Sequence, residues 1–76
     1  MTITEWTENF SDKLSELLKD RRMTQYELAQ DSGVSVGSIS SYINGSSLPG
    51  IKAILNMAFA LDVDVDELID FGDTID

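Results

Sequence analysis

Neither cysteine nor histidine occurs in the 76 residues. Without cysteine there is no disulfide and no thiolate metal site to staple the fold. Without histidine the usual general base, the commonest metal ligand and the physiological pH switch are gone. Proline occurs once, and five lysines and arginines face fourteen aspartates and glutamates, for a net charge of −9. No run of about 18 apolar residues exists, so nothing is long enough to span a membrane. The opening MTITEWTENF is acidic and lacks the apolar run of a secretory signal, which sets the expectation of a soluble, cytoplasmic protein. The aspartates do not build a calcium loop. Asp62, Asp64 and Asp66 alternate, but no glycine follows Asp66, and the twelfth position is Asp73 instead of glutamate. No nucleophile–base pair stands out either. The expectation is therefore one small domain, with no enzyme activity, metal or cofactor, and a stability of roughly 3–8 kcal/mol.

What charge there is lies unevenly. Residues 1–23 carry five acids and four bases, so they nearly cancel. Residues 24–49 carry only Glu27 and Asp31. Residues 50–76 carry seven acids and one base, Lys52. The acidity is concentrated at the C-terminal end. A nucleic-acid-binding domain ordinarily shows a basic footprint, and the chain as a whole has none.

Apolar spacing predicts helices throughout, with no competing β pattern. Residues 1–9 read as an arm or as an extension of the first helix, with Ile3 and Trp6 apolar. From Phe10 the pattern is plain: Phe10, Leu14, Leu17 and Leu18 share one face. That helix ends near Arg21–Met23, where basic residues suit the negative end of its dipole. Thr24-x-x-Glu27 reads as a capping box opening a second helix. Gly33 ends it with positive φ, and Ser35 caps a third helix that Gly45 stops. Ser46 to Gly50 form a loop under which Leu48 is expected to tuck. A fourth helix covers about 51–61. Asp64-x-x-Glu67 reads as a second capping box, opening a short fifth helix with Leu68 and Ile69 inward. The domain spans 10–71, and 72–76 form an acidic tail.

The series Gln25-x-x-Leu28-Ala29-x-x-x-Gly33-Val34-Ser35-x-x-x-Ile39-Ser40, followed by Asn44-Gly45, resembles the phage repressor and Cro-like helix-turn-helix family of xenobiotic-response-element type transcriptional regulators. The likeness continues through Pro49, Ile54, Met57-Ala58, Leu61, Val63 and Leu68, covering about residues 10–70. It implies an all-α, five-helix lambda-repressor-like DNA-binding domain with its helix-turn-helix at about 24–45. The implied function is a sequence-specific transcriptional regulator, a repressor of phage or bacterial origin. Its third helix would lie in the major groove. Its partner would be double-stranded DNA, at a palindromic operator bound by a homodimer.

Carried over position by position, the resemblance puts Val36, Gly37 and Ser41 against base edges. Gln25, Ser35, Ser38, Asn44, Ser46, Ser47 and Lys52 become the phosphate contacts. For Gln25 the alternative is a solvated surface side chain. For Asn44 it is a helix C-cap, and for Ser35 the N-cap role comes first. Arg21 and Arg22 are either flank contacts or helix-end residues, and the second use has more in its favour.

Three features depart from the family pattern. The reading face offers a valine methyl, a bare glycine and serine hydroxyls, where two-bond readers such as Arg, Gln or Asn are usual. Leu18 and Ile43 stand where many members pair two charged residues, and this swap avoids the desolvation of a partly buried ion pair. Positive charge is scarce on the DNA side, so a small salt dependence is expected. Phe59 falls on the outer side of the fourth helix. With the fifth helix it is a candidate dimer surface. Ile3, Trp6, Phe71 and Ile75 make an apolar patch for a dimer or a docking partner, unless Trp6 folds back on the core and Phe71 covers the fifth helix, which has more in its favour for those two. The acidity and the uncharged third helix also fit an alternative, a helix-turn-helix module that binds protein, such as an anti-repressor or a DNA-mimicking antagonist.

Overall fold

A computed structural model describes residues 2–69 of the chain. Five helices run in order: α1 (Ile3–Asp20), α2 (Gln25–Ser32), α3 (Val36–Asn44), α4 (Ile51–Leu61) and α5 (Val65–Leu68). No strand occurs among the described residues. None of their helices is long and apolar enough to cross a membrane. Phe71, Ile75 and the acidic tail at 72–76 lie outside the described residues.

α1 starts at Ile3, well before the plain periodicity at Phe10. The Thr2 hydroxyl accepts from the Glu5 backbone N–H and caps the helix. Trp6 then falls one turn before Phe10 and stacks on it, ring centroids 5.7 Å apart and planes 1° from parallel. Phe10 in turn meets Tyr42 of α3 edge-on at 6.2 Å. Residues 3–9 are thus helix, held by an aromatic row that runs into the core.

The core draws on every helix. Leu14, Leu28, Ile39, Met57, Leu61 and Leu68 are fully buried, one or two from each of α1 to α5. Leu18 is buried and Ile43 packs against the same cluster, so both apolar replacements serve packing. α3 packs mainly on α1 and α2, whereas α5 packs on α1 and α4. Two of the three hydrogen bonds between helices among the described residues pin the bundle around its core. Buried Ser11 donates its hydroxyl proton to the Tyr42 carbonyl (2.6 Å), joining α1 to α3. Arg21 donates from Nε to the Leu61 carbonyl (2.7 Å). That contact places a cation between the C-terminal ends of α1 and α4, where both helix dipoles are negative.

The capping box at Thr24 is present in both directions. Glu27 N–H donates to the Thr24 hydroxyl, and Thr24 N–H donates to the Glu27 carboxylate, each at 3.1 Å. Gly33 ends α2 at φ +77°, its N–H donating to the Ala29 carbonyl. Ser35 caps α3 through the Ser38 N–H. Gly45 closes it at φ +76°.

Two expectations are corrected. Asp64 stands at the N-cap of α5, but its side chain makes no capping bond. The reason is length: α5 is a single turn, and the Glu67 N–H is already taken by the Asp64 backbone carbonyl at 3.0 Å. Leu48 does not tuck under its loop. It is 41% exposed, and Pro49 is the loop residue that is buried. The rigid ring beside the start of α4 takes the inward position, and Leu48 faces a shallow groove between α1 and the end of α3.

Gly33 provides a direct check on the turn. A Cβ added there meets nothing within 4 Å, so any cost of adding one comes from the backbone conformation alone. Gly33→Ala is expected to lower the unfolding free energy by about 1–2 kcal/mol, read from a urea titration. An unchanged midpoint would mean that the turn is not held in the left-handed region.

Candidate nucleic-acid interface

The outer side of α3, like that of α4, is left without a covering element. The inner side of α3 buries Ile39 and Tyr42. The opposite side presents Val36, Gly37, Ser40, Ser41 and Asn44, spaced so that i, i+4 neighbours stack along one face. Gly37 is exposed, Val36 and Ser41 are half-buried, and Asn44 is exposed. The three residues assigned to base edges, Val36, Gly37 and Ser41, therefore lie together.

The serines divide by what their hydroxyls already do. Ser35 accepts from the Ser38 N–H (3.1 Å) and donates to the Ser38 hydroxyl (2.9 Å). Both of its functions are internal. Ser38, polarised by that bond, keeps its own proton to donate outward. Ser46 directs its hydroxyl to the Ser41 carbonyl at 3.2 Å, and its N–H bonds the same oxygen. It closes the end of α3, and its proton is not left for a phosphate. Ser47 is exposed beside it. Asn44 is the last residue of α3, and the C-cap is Gly45, so its carboxamide is not needed to end the helix.

Gln25 opens α2 and is half-buried. Its Oε1 accepts from the Ser40 hydroxyl at 2.6 Å, across the turn. The solvated-side-chain alternative does not hold, because the carboxamide is tethered to α3. Four N–H groups at a helix start lack intrahelical partners. In α2 the capping box takes those of Thr24 and Glu27, which leaves those of Gln25 and Tyr26. They belong to the same first turn as the Gln25 side chain.

Lys52 is exposed in the first turn of α4. A cation there is unfavourable to the helix dipole, so the fold gives no reason for it. Gly50, the N-cap, supplies no side-chain bond, so the first N–H groups of α4 are left without a side-chain cap around that lysine. Arg21 is committed through Nε to the Leu61 carbonyl, which is the helix-end use. Arg22 ends α1 at φ +53°.

Charge sorts the same way in space. From Ser32 to Leu61 the sole charged residue is Lys52. That stretch holds the turn, all of α3, the loop and α4. The acids Asp62, Asp64, Asp66 and Glu67 belong to α5 and its approach, which pack on α1 and α4 instead of α3. Two residues of this region escaped the sequence reading. Ser40 stood in the family series but was given no role, since its partner lies fifteen residues away. Tyr26 is exposed in the first turn of α2 beside Gln25, and its position in that turn was the signal available.

Comparison with known proteins gives the family and the fold. Residues 13–73 match the family described as the Cro/C1-type HTH DNA-binding domain. The chain is 32% identical over 60 residues to the uncharacterized HTH-type transcriptional regulator YqaE of Bacillus subtilis (strain 168), covering 79% of this chain and 52% of that protein. It is 33% identical over 60 residues to the cryptic phage CTXphi transcriptional repressor RstR of Vibrio cholerae, covering 74% of this chain and 54% of that one. The chain thus spans about half the length of the curated relatives it matches. Among solved structures it is similar to the restriction-modification controller protein C.AhdI from Aeromonas hydrophila. The TM-score is 0.76 at 30% identity, covering 79% of this chain and 91% of that one.

Gly37 tests whether the outer face of α3 is shaped for stability. It lies in the first turn of a helix, and an added Cβ meets nothing within 4 Å. Gly37→Ala is expected to raise the unfolding free energy by about 0.4–1 kcal/mol in a thermal or urea melt. A loss would mean that the fold itself requires the glycine.

Proposed function

Because the chain belongs to the Cro/C1-type HTH DNA-binding domain family, we propose that it acts as a sequence-specific transcriptional regulator, a repressor of phage or bacterial origin. It works in the cytoplasm on double-stranded DNA, with α3 in the major groove. The observation that carries this is the uncovered, acid-free face of α3 in a chain of net charge −9. Around that face stand the donors of Gln25, Ser38, Asn44, Ser47 and Lys52.

Val36, Gly37 and Ser41 meet base edges. Val36 packs on a thymine methyl, and Ser41 hydrogen-bonds whichever base partner its groove position offers. Gly37 lets the α3 backbone approach closely. The variant expected to stabilise the fold, Gly37→Ala, therefore weakens DNA binding. Gln25, with the N–H groups of Gln25 and Tyr26, holds one phosphate, and Lys52 with the uncapped start of α4 holds another. Asn44 and Ser47 lie along the backbone between them. Ser35 and Ser46 are the weakest of the phosphate assignments, since their hydroxyls serve the helix ends. Direct readout is modest, and DNA shape carries more of the specificity. The competing protein-binding module rested on the acidity and on the uncharged third helix. That acidity is confined to elements outside α3, and the family match weighs against it.

Two copies on a palindromic site would set two α3 helices about one DNA turn apart. The outer face of α4 is the surface we assign to that pairing. Ile51, Leu55 and Phe59 recur every four residues and are 68%, 42% and 83% exposed. No carboxylate interrupts the helix. Phe59 also borders the approach to α5, beside Asp62, Val63 and Glu67. The stripe itself carries no carboxylate, although acids border its Phe59 end, and a self-complementary apolar strip is what two copies can share.

Two measurements test these readings. Fluorescence anisotropy on a duplex selected from a random pool by the protein is expected to give a log K against log salt slope of about −2 for a dimer. Lys52→Gln should remove about 0.9 for each protomer. A slope near −6 would contradict a nearly neutral interface, and selection of no duplex would sink the function. In sedimentation, Phe59→Ser is expected to convert a dimer to a monomer with little change in melting temperature. A Phe59→Ser protein that remains dimeric would remove α4 from the interface.

A further inference from the structure

The Ser40 hydroxyl has no part in capping, in the core or in the family-derived contacts, yet it makes one of the shortest hydrogen bonds of the fold. It donates to Gln25 Oε1 at 2.6 Å. Serine inside a helix ordinarily bonds back to a carbonyl one turn earlier. Here the hydroxyl reaches from α3 to the first residue of α2, and both partners are half-buried.

We infer that Ser40 is a positioning residue, whose hydroxyl holds the Gln25 carboxamide oxygen and so turns the two Nε2 hydrogens toward a DNA phosphate. The inference rests on the proposed DNA-binding function. A carboxamide has one donor end and one acceptor end. With Oε1 engaged by Ser40, the donor end is left free for an anion, while the Glu27 carboxylate of the same turn is held on the Thr24 N–H. The opposite orientation would set a carbonyl oxygen against a phosphate oxygen. Glutamine is also among the side chains with most rotamer freedom to lose on fixing. The tether removes that freedom before DNA arrives. Ser40 lies one turn after Val36 and next to Ser41 on α3. The same bond therefore sets the phosphate grip of α2 in register with the reading face of α3.

The test is a double-mutant cycle on two probes: a duplex selected from a random pool by the wild-type protein, and a scrambled duplex of the same composition. Ser40→Ala should weaken binding to both by about 3- to 10-fold. It should leave the salt slope unchanged, because a phosphate contact carries no sequence information and Gln25 no charge. Ser40→Thr, which keeps the hydroxyl, should bind like wild type. Ser40→Ala should add no further loss to Gln25→Ala. Wild-type affinity in Ser40→Ala overturns the inference. So does a loss confined to the selected duplex, which would make Ser40 a base reader, or a full second loss on top of Gln25→Ala. A DNA-free check uses the wild-type protein itself. The Gln25 side-chain amide should show an NMR order parameter near that of the backbone, and a freely mobile amide overturns the tether. Wild-type protein that binds neither duplex overturns the function and this inference together, whereas wild-type binding untouched by Ser40→Ala overturns this inference alone.

Discussion

The burial of Leu28 and Ile39, one on each side of the turn at Gly33, is the constraint on which the rest of this structure depends. Both are fully buried in a domain whose core is small. To bring them into one core the chain must reverse within three residues, from the end of α2 at Ser32 to the start of α3 at Val36. The left-handed Gly33, with caps on either side of the turn, makes that reversal. Once it is made, the angle between α2 and α3 is set by side-chain packing. The outer face of α3 is then presented at a fixed angle to the start of α2. The phosphate grip proposed at Gln25 and the reading face proposed on α3 are two consequences of that one arrangement.

Net charge misleads when it is read for the whole molecule. A charge of −9 argues against a DNA partner only if the acids face the DNA. Here a thirty-residue stretch from Ser32 to Leu61 carries one charge, a lysine, and it holds both the α3 face and the α4 stripe. The acids sit on α1, where bases partly offset them, on α2 as Glu27 and Asp31, and around α5. Neutrality has a second effect. With few counterions to release, affinity in the proposed complex would lean on hydrogen bonds, on fit and on pairing two copies. A serine-rich, glycine-containing reading helix discriminates less per base pair than one bearing bidentate side chains. In the proposed dimeric complex, half-site spacing and DNA deformability would then carry more of the specificity.

Local features were legible in the sequence, and cross-chain ones were not. The caps at Thr24 and Ser35, the turn at Gly33 and the stop at Gly45 each depend on residues within a few positions, and all are found in place. The apolar periodicity of α1 and α4 marked their buried faces for the same reason. Asp64 failed as a cap because its helix is too short to need one, and a capping pattern does not encode the length of the helix it opens. Leu48 failed because pattern alone does not say which of two adjacent apolar residues the loop turns inward. The three bonds that tie helices together span fifteen, thirty-one and forty residues, from Ser40 to Gln25, Ser11 to Tyr42 and Arg21 to Leu61. No spacing rule connects such positions. They appear only once the helices are packed, and one of them bears directly on the candidate site.

The central claim is that DNA is met by the α3 face together with the starts of α2 and α4. Backbone amide chemical shifts, followed while duplex DNA is titrated into labelled protein, test it most directly. The account predicts that the large changes fall at Gln25 and Tyr26, across Ser35 to Ser41, and from Asn44 to Lys52. Asp62 to Glu67 should stay still. Changes centred on α5 or on the outer side of α1, with α3 unmoved, would contradict it.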